Sequence, residues 1–238
     1  MSNKVSSSRS LLQSSEPLYL TPYVALLALY AFCWPTIHHY LPFGDDPAVF
    51  QGSEGSPVTW FTQGFSRYFY VFPEWNVPFT DFLRPGVNLI LRIEQSLFHA
   101  HYAAYFALLF LAQAGLVTLV LLLSLRFGAS RVASIIAALL VAVNPAFVDF
   151  DLWSVVNHFD VWCGVFAVLA LWSIFSQRYV LAFLALTAAI FTKEAALYAP
   201  LAASLSVYVL YRKRSLAALM LAPLALWFLV RKLVFTLN

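Results

Sequence analysis

From Tyr102 to Leu125 no side chain carries a charge. As an α-helix that stretch would be about 36 Å long, enough to cross the roughly 30 Å of hydrocarbon in a bilayer. Similar runs follow one another through the chain, and no soluble fold can hide them all. Composition points the same way. Hydrophobic residues make up 62% of the 238 and charged residues 11%, with a mean hydropathy of +0.78, whereas about a quarter of a soluble domain is charged. Backbone in lipid must satisfy its own hydrogen bonds, which leaves helices or closed barrels. The runs are continuous, and a barrel would alternate. The chain is therefore expected to be an all-α integral membrane protein.

The pattern predicts about seven spans. They run from Leu18 to Leu41, Ala100 to Leu125, Val132 to Phe147, Phe159 to Phe175, Tyr179 to Thr192, Ala195 to Tyr211 and Leu216 to Leu237. Residues 1–17 form a Ser-rich polar tail, and residues 18–238 form the transmembrane domain. The first run is long and ends in Trp34 and Pro35, so it reads as a retained span and not as a cleaved signal peptide. Cys33 and Cys163 both lie in apolar runs and read as buried thiols. Residues 42–99 make a long first loop. Within it Trp60, Phe61, Phe65, Tyr68, Phe69 and Phe72 recur at helical spacing, as in a helix lying in the membrane interface. A second amphipathic stretch, Pro85 to Phe98, sets Val87, Leu91, Glu94 and Phe98 near one face. No tandem repeat and no soluble domain is visible.

The net charge of +3 is small but unevenly placed, and nothing in it points to nucleic acid. With the N-terminus, Lys4 and Arg9 in the cytoplasm, the turns on the same side carry Arg126 and Arg131, then Arg178, then Arg212, Lys213 and Arg214. That is the positive-inside pattern. Every acid except Glu16 falls on or near the other face, together with all five histidines. The outer face, periplasmic or lumenal, is thus expected to hold the chemistry.

Four groups there can carry it. Asp45 and Asp46 follow the first span, where paired carboxylates serve as a general base or hold a cation; the plain alternative is a turn built from Gly44, the acids and Pro47. Asp149 and Asp151 leave the third span as a D-x-D pair able to share a divalent metal, or as an ordinary solvated loop, with His158 and Asp160 entering the same cleft. Lys193 and Glu194 sit between two closely spaced runs, a costly place for charge unless it is paired or functional. Arg84, before Pro85, can clamp a phosphate or anchor the interface. His38 with His39, and His99 with His101, lack the spacing of a zinc site.

The order of these motifs resembles the GT-C superfamily of membrane glycosyltransferases, most closely its O-mannosyltransferase-like members. Such proteins have an acidic pair after the first span, here within Phe43 to Val49. They have an Arg-Pro before the second, here Arg84 and Pro85. A proline, an acid and a tryptophan leave the third, here Pro145, Asp149 and Trp153. A Lys-Glu is followed by a proline, here Lys193, Glu194 and Pro200, and an arginine follows in the next span, here Arg231. The likeness extends from the first span to the end of the chain. Complete members are usually longer, so it covers an N-terminal transmembrane core, and acceptor-binding parts are expected to be missing.

The resemblance implies sugar transfer from a polyprenyl-phosphate donor on the non-cytoplasmic side, with inversion. Asp45 or Asp46 would be the catalytic base. Arg84 and Lys193 would hold the phosphate, with Glu194 positioning Lys193 and His158 nearby. Asp149 and Asp151 would bind a divalent metal, Mg or Mn. Expected partners are membrane lipid, the lipid-linked sugar and other membrane subunits. Two rival readings stand beside it. One is a non-catalytic descendant serving as a subunit of a membrane complex. The other is a transporter, disfavoured because the acids lie at the ends of spans and no inverted repeat is seen.

Overall fold

A computed structural model of the chain describes residues 17–38, 85–99, 101–144 and 158–236. Among them are eight α-helices, and no strand. A 3-10 turn, Pro17–Leu20, leads into α1, Thr21–His38. Then come α2, Pro85–Phe98; α3, Tyr102–Arg126; α4, Arg131–Ala142; α5, His158–Phe175; and α6, Tyr179–Thr192. A second 3-10 turn, Glu194–Leu197, leads into α7, Tyr198–Tyr211, and α8 is Arg214–Thr236. Five segments are long and apolar enough to cross a membrane: Leu18–Pro35, Tyr102–Arg126, His158–Phe175, Glu194–Tyr211 and Arg214–Leu233. The protein is a multi-pass, all-helical membrane protein. The two remaining predicted runs form the shorter helices α4 and α6, of 12 and 14 residues, which are about 18 and 21 Å long. The aromatic stretch 58–72 lies outside the described residues.

Local chemistry sets the helix ends. After α3 the chain stops in a Schellman motif: Gly128 N–H donates to the Leu125 carbonyl and Ala129 N–H to that of Ser124. Gly128 stands at φ 82°, a conformation that glycine enters without a Cβ clash. Ser130 then caps α4 by accepting from Ala133 N–H at 3.2 Å, as an N-cap serine does. The same 6→1 and 5→2 bonds end α5, but there Gln177 takes the left-handed position at φ 56°.

Helix α3 packs on α1, α4 and α5, while α6 lies between α5 and α8, and α7 lies against α8. Lipid tails are as apolar as leucine, so close backbone approach and interhelical hydrogen bonds hold such a bundle together. Both are present. Ala182, Ala185 and Ala189 present a buried, small-residue face of α6. Tyr30 donates to Gln113 Oε1 at 2.9 Å, and the Tyr23 and Thr118 hydroxyls meet at 2.8 Å, tying α1 to α3. Large apolar side chains face outward, among them Phe32, 84% exposed, and Val180, 76% exposed. A lipid surround accounts for them.

The two ends of the bundle differ in charge. At one, Arg126 Nη2 donates to the Phe175 carbonyl at 3.1 Å, which brings together the ends of α3 and α5 and the turns bearing Arg178 and Arg212 to Arg214. At the other, α2 bridges α6 and α3. Leu91 and Glu94 are buried and Phe98 packs against the same cluster, as the sequence places them. Gly86 makes the contact with α6 close. A Cβ there would meet Thr192 Oγ1 at 2.8 Å and the Phe191 carbonyl oxygen at 2.9 Å.

Gly86→Ala is expected to force α2 off α6 and to cost about 1–3 kcal/mol, the usual range for overpacking. Gly164→Ala should be far milder, because its Cβ meets only the movable Leu116 side chain, at 3.3 Å. Thermal unfolding of the two variants in one detergent checks the order.

Candidate functional site at the acidic end

Helix α6 ends because Lys193, its C-cap, adopts extended backbone at φ −153° and ψ 138°. The tight turn Glu194–Leu197 then sends the chain into α7, and Ala196 N–H donates to the Lys193 carbonyl at 3.0 Å. The Lys193 ammonium ion-pairs with the Asp160 carboxylate in the first turn of α5. The two side chains are 29% and 36% exposed, so the pair sits at the rim and not in the interior. Asp160 thus holds Lys193, the part that the resemblance assigns to Glu194; Glu194 is half-buried and opens the next turn.

Beneath the rim lies a buried polar layer. His158 has no exposed surface, and its ring meets Phe106 edge-on at 5.4 Å. Neither ring nitrogen has a hydrogen-bond partner, so an incoming phosphate would meet Lys193 before His158. Glu94 is 1% exposed, and neither carboxyl oxygen has a partner of ordinary geometry. Burial pushes its carboxyl up to about 8, and the Trp162 indole beside it offsets part of that rise. An ionised carboxylate is costly in such surroundings, so the group stays protonated. Sequence reasoning set Glu94 on the inward face of α2 without giving it a role. The available signal was an acid sharing a helical stripe with Leu91 and Phe98.

Next to the rim is an apolar groove of about 480 Å³. It is lined by Gly86, Leu89 and Ile90 of α2, Thr187, Phe191 and Thr192 of α6, and neighbouring residues of α5 and α8. Thr192, which lines the groove, directly precedes Lys193 in the chain. On α8, Arg231 lies over the Trp227 ring at 5.2 Å and directly follows the groove residue Val230.

Of the predicted site residues, the structure describes His158, Lys193 and Glu194, and brings all three to this end. Asp45, Asp46, Arg84, Asp149 and Asp151 lie outside the described residues. Among those described, no three His, Cys, Asp or Glu side chains gather as a metal site.

Fold and site together define a multi-pass helical membrane protein with a lysine–aspartate pair and an apolar groove toward the same end. No protein family, curated protein or solved structure matches the chain.

Two measurements probe the charged groups. The folded-state carboxyl of Glu94, at about 8, lies above its ordinary value of 4.5. The native state then binds the extra proton, and stability falls as pH rises between those values. Its contribution is full below about 4.5 and lost by the time the pH has passed about 8. Melting temperature in detergent should decline across that window, and Glu94→Gln should remove that part of the decline. For the rim pair, a double-mutant cycle with Asp160→Asn and Lys193→Met should give a coupling below about 1 kcal/mol, as for other partly exposed pairs.

Proposed function

We propose that this chain is a GT-C-like glycosyltransferase core that takes a sugar from a polyprenyl-phosphate donor. The carrying observation is the apolar groove between α2, α5, α6 and α8, bordered by Thr192, with Lys193 next in the chain. A polyprenyl phosphate has that same division, a long hydrocarbon tail and an anionic head. In this reading the tail lies along Leu89, Ile90 and Phe191, and the phosphate meets Lys193 and Arg84.

In the topology that fits this reading, all seven runs cross the membrane, α4 and α6 as short spans. The N-terminus and the arginine-rich turns face the cytoplasm. The first loop and the acidic end face the periplasm or lumen, where Asp45 and Asp46 join the site. The acceptor hydroxyl gives its proton to one of these carboxylates. Its oxygen then forms a bond to the anomeric carbon as the bond from that carbon to the phosphate oxygen breaks. The electron pair leaves on the phosphate, where fixed cations stabilise it. Attack from the face opposite the leaving group inverts the anomeric centre. Asp149 and Asp151 supply the carboxylates for a divalent ion, whose chemistry would be to neutralise phosphate charge.

A second reading, a non-catalytic subunit of a membrane complex, is favoured by one observation. Lys193 already has a carboxylate partner in Asp160, which fits a structural lysine as well as a phosphate ligand.

The test is hexosyl transfer from a synthetic polyprenyl-phosphate sugar by the protein in liposomes, with lipid co-purification read in parallel. Asp46→Ala and Asp149→Ala should each lower transfer at least about 100-fold while leaving melting unchanged. Lys193→Met should raise KM for the donor about tenfold or more. Full transfer by both aspartate variants would sink the site assignment. No transfer by the wild type, with no bound polyprenyl lipid and a fixed set of partner subunits, would favour the subunit.

A further inference from the structure

The opposite end of the bundle carries a second constellation that glycosyl transfer does not use. Arg126, Arg131, Arg178, Arg212, Lys213 and Arg214 gather there, and every described acid, namely Glu94, Asp160 and Glu194, belongs to the other end. Two of the turns converge. The rings of Tyr179 and Tyr211 meet edge-on at 6.3 Å, and Lys213 Nζ stands 5.3 Å from the Tyr179 ring. Tyr211 also donates to the Phe175 carbonyl at 3.5 Å, so the second turn is tied to the end of α5. The guanidinium of Arg178 lies over the Trp172 ring at 5.4 Å, and that of Arg212 over Tyr208 at 5.8 Å. Stacking on an aromatic face holds a guanidinium in place while leaving its edge donors available.

At the start of α6, Arg178 and Tyr179 line an open concavity of about 510 Å³ together with Gln177, Val180, Leu181 and Leu184, and Lys213 reaches it through the Tyr179 ring. Its polar lining sits at the turn, and its apolar wall continues down the helix. Val180 and Leu184 are exposed along that wall, on a bundle whose other outward faces are apolar too.

We infer that this concavity is a binding site for an anionic glycerophospholipid. The phosphate is held between Arg178 and Lys213, and an acyl chain runs along Val180, Leu181 and Leu184. The cations supply a bidentate donor and a point charge for the phosphate. Tyr179, Tyr211 and Trp172 stand near helix ends, where amphipathic rings meet headgroups in a spanning bundle. The apolar wall selects a lipid over free phosphate, which would leave that wall unused. The inference rests on the membrane-spanning bundle and its charge, and not on the transferase reading.

The test is native mass spectrometry of the full chain released from micelles containing equal phosphatidylglycerol and phosphatidylcholine. The wild type should retain phosphatidylglycerol about tenfold more than phosphatidylcholine. Inorganic phosphate in excess should not displace it. Arg178→Gln with Lys213→Gln should lose the preference, whereas Lys232→Gln, at the far end of α8, should keep it. If the double variant does not fold, Lys213→Gln alone should lower the ratio by at least threefold. Equal retention of the two lipids by the wild type would overturn the proposal, as would displacement by inorganic phosphate or an unchanged ratio in the Arg178 and Lys213 variants.

Discussion

A backbone amide or carbonyl in hydrocarbon has no water to bond with, and leaving one unpaired costs several kcal/mol. This chain carries too few charges to clothe itself for water, so that cost governs its architecture. Each long apolar run closes its hydrogen bonds within itself as a helix. Among the described residues the turns stand at helix ends, where side chains and turns take over the bonding, and only Pro35 and Pro223 remove a backbone donor inside a helix. Gly128, Ser130 and the extended Lys193 each stand at such an end, and the polar groups that can do chemistry collect at the same places.

Once every element must be a helix, the bundle has to be held without a hydrophobic drive from water. The alanine face of α6 and the glycine contact of α2 meet that need by letting backbones approach. The Tyr23–Thr118 and Tyr30–Gln113 hydrogen bonds between α1 and α3 add direction. Small residues at α6 also have a consequence for the site. They keep α6 thin where it runs between α5 and α8, and the groove opens at its acidic end, between Thr187 and Thr192.

Helical runs and their approximate ends were legible because apolar runs interrupted by Arg126, Arg178 and Arg212 leave little choice. So was the inward face of α2, since Leu91, Glu94 and Phe98 fall at helical spacing. The partner of Lys193 was not legible. Asp160 precedes it by 33 positions, and only the antiparallel pairing of α5 with α6 brings the start of one beside the end of the other. Glu194, adjacent in the chain, looked the closer partner. The extended conformation of Lys193 turns successive side chains to opposite sides, so adjacency in sequence was the wrong guide. The burial of His158 was hidden for a related reason: it opens α5 two residues before Asp160, and only the packing of α3, whose Phe106 meets its ring, encloses it.

The Asp160–Lys193 pair bears on both functional readings. A lysine paired with one carboxylate contributes almost no net charge, so a lipid phosphate arriving at the rim meets a neutral pair and not a bare cation. The donor's phosphodiester, with its single negative charge, competes with Asp160 for the same ammonium, and the partial exposure of both side chains keeps the Coulomb energy of the pair small. Exchange between two weakly held anions is cheap in either direction, which suits a site that must take up a donor and later release the phosphate. The pair, partly exposed at the rim, therefore fits a structural clasp as well as it fits exchange of an anionic lipid.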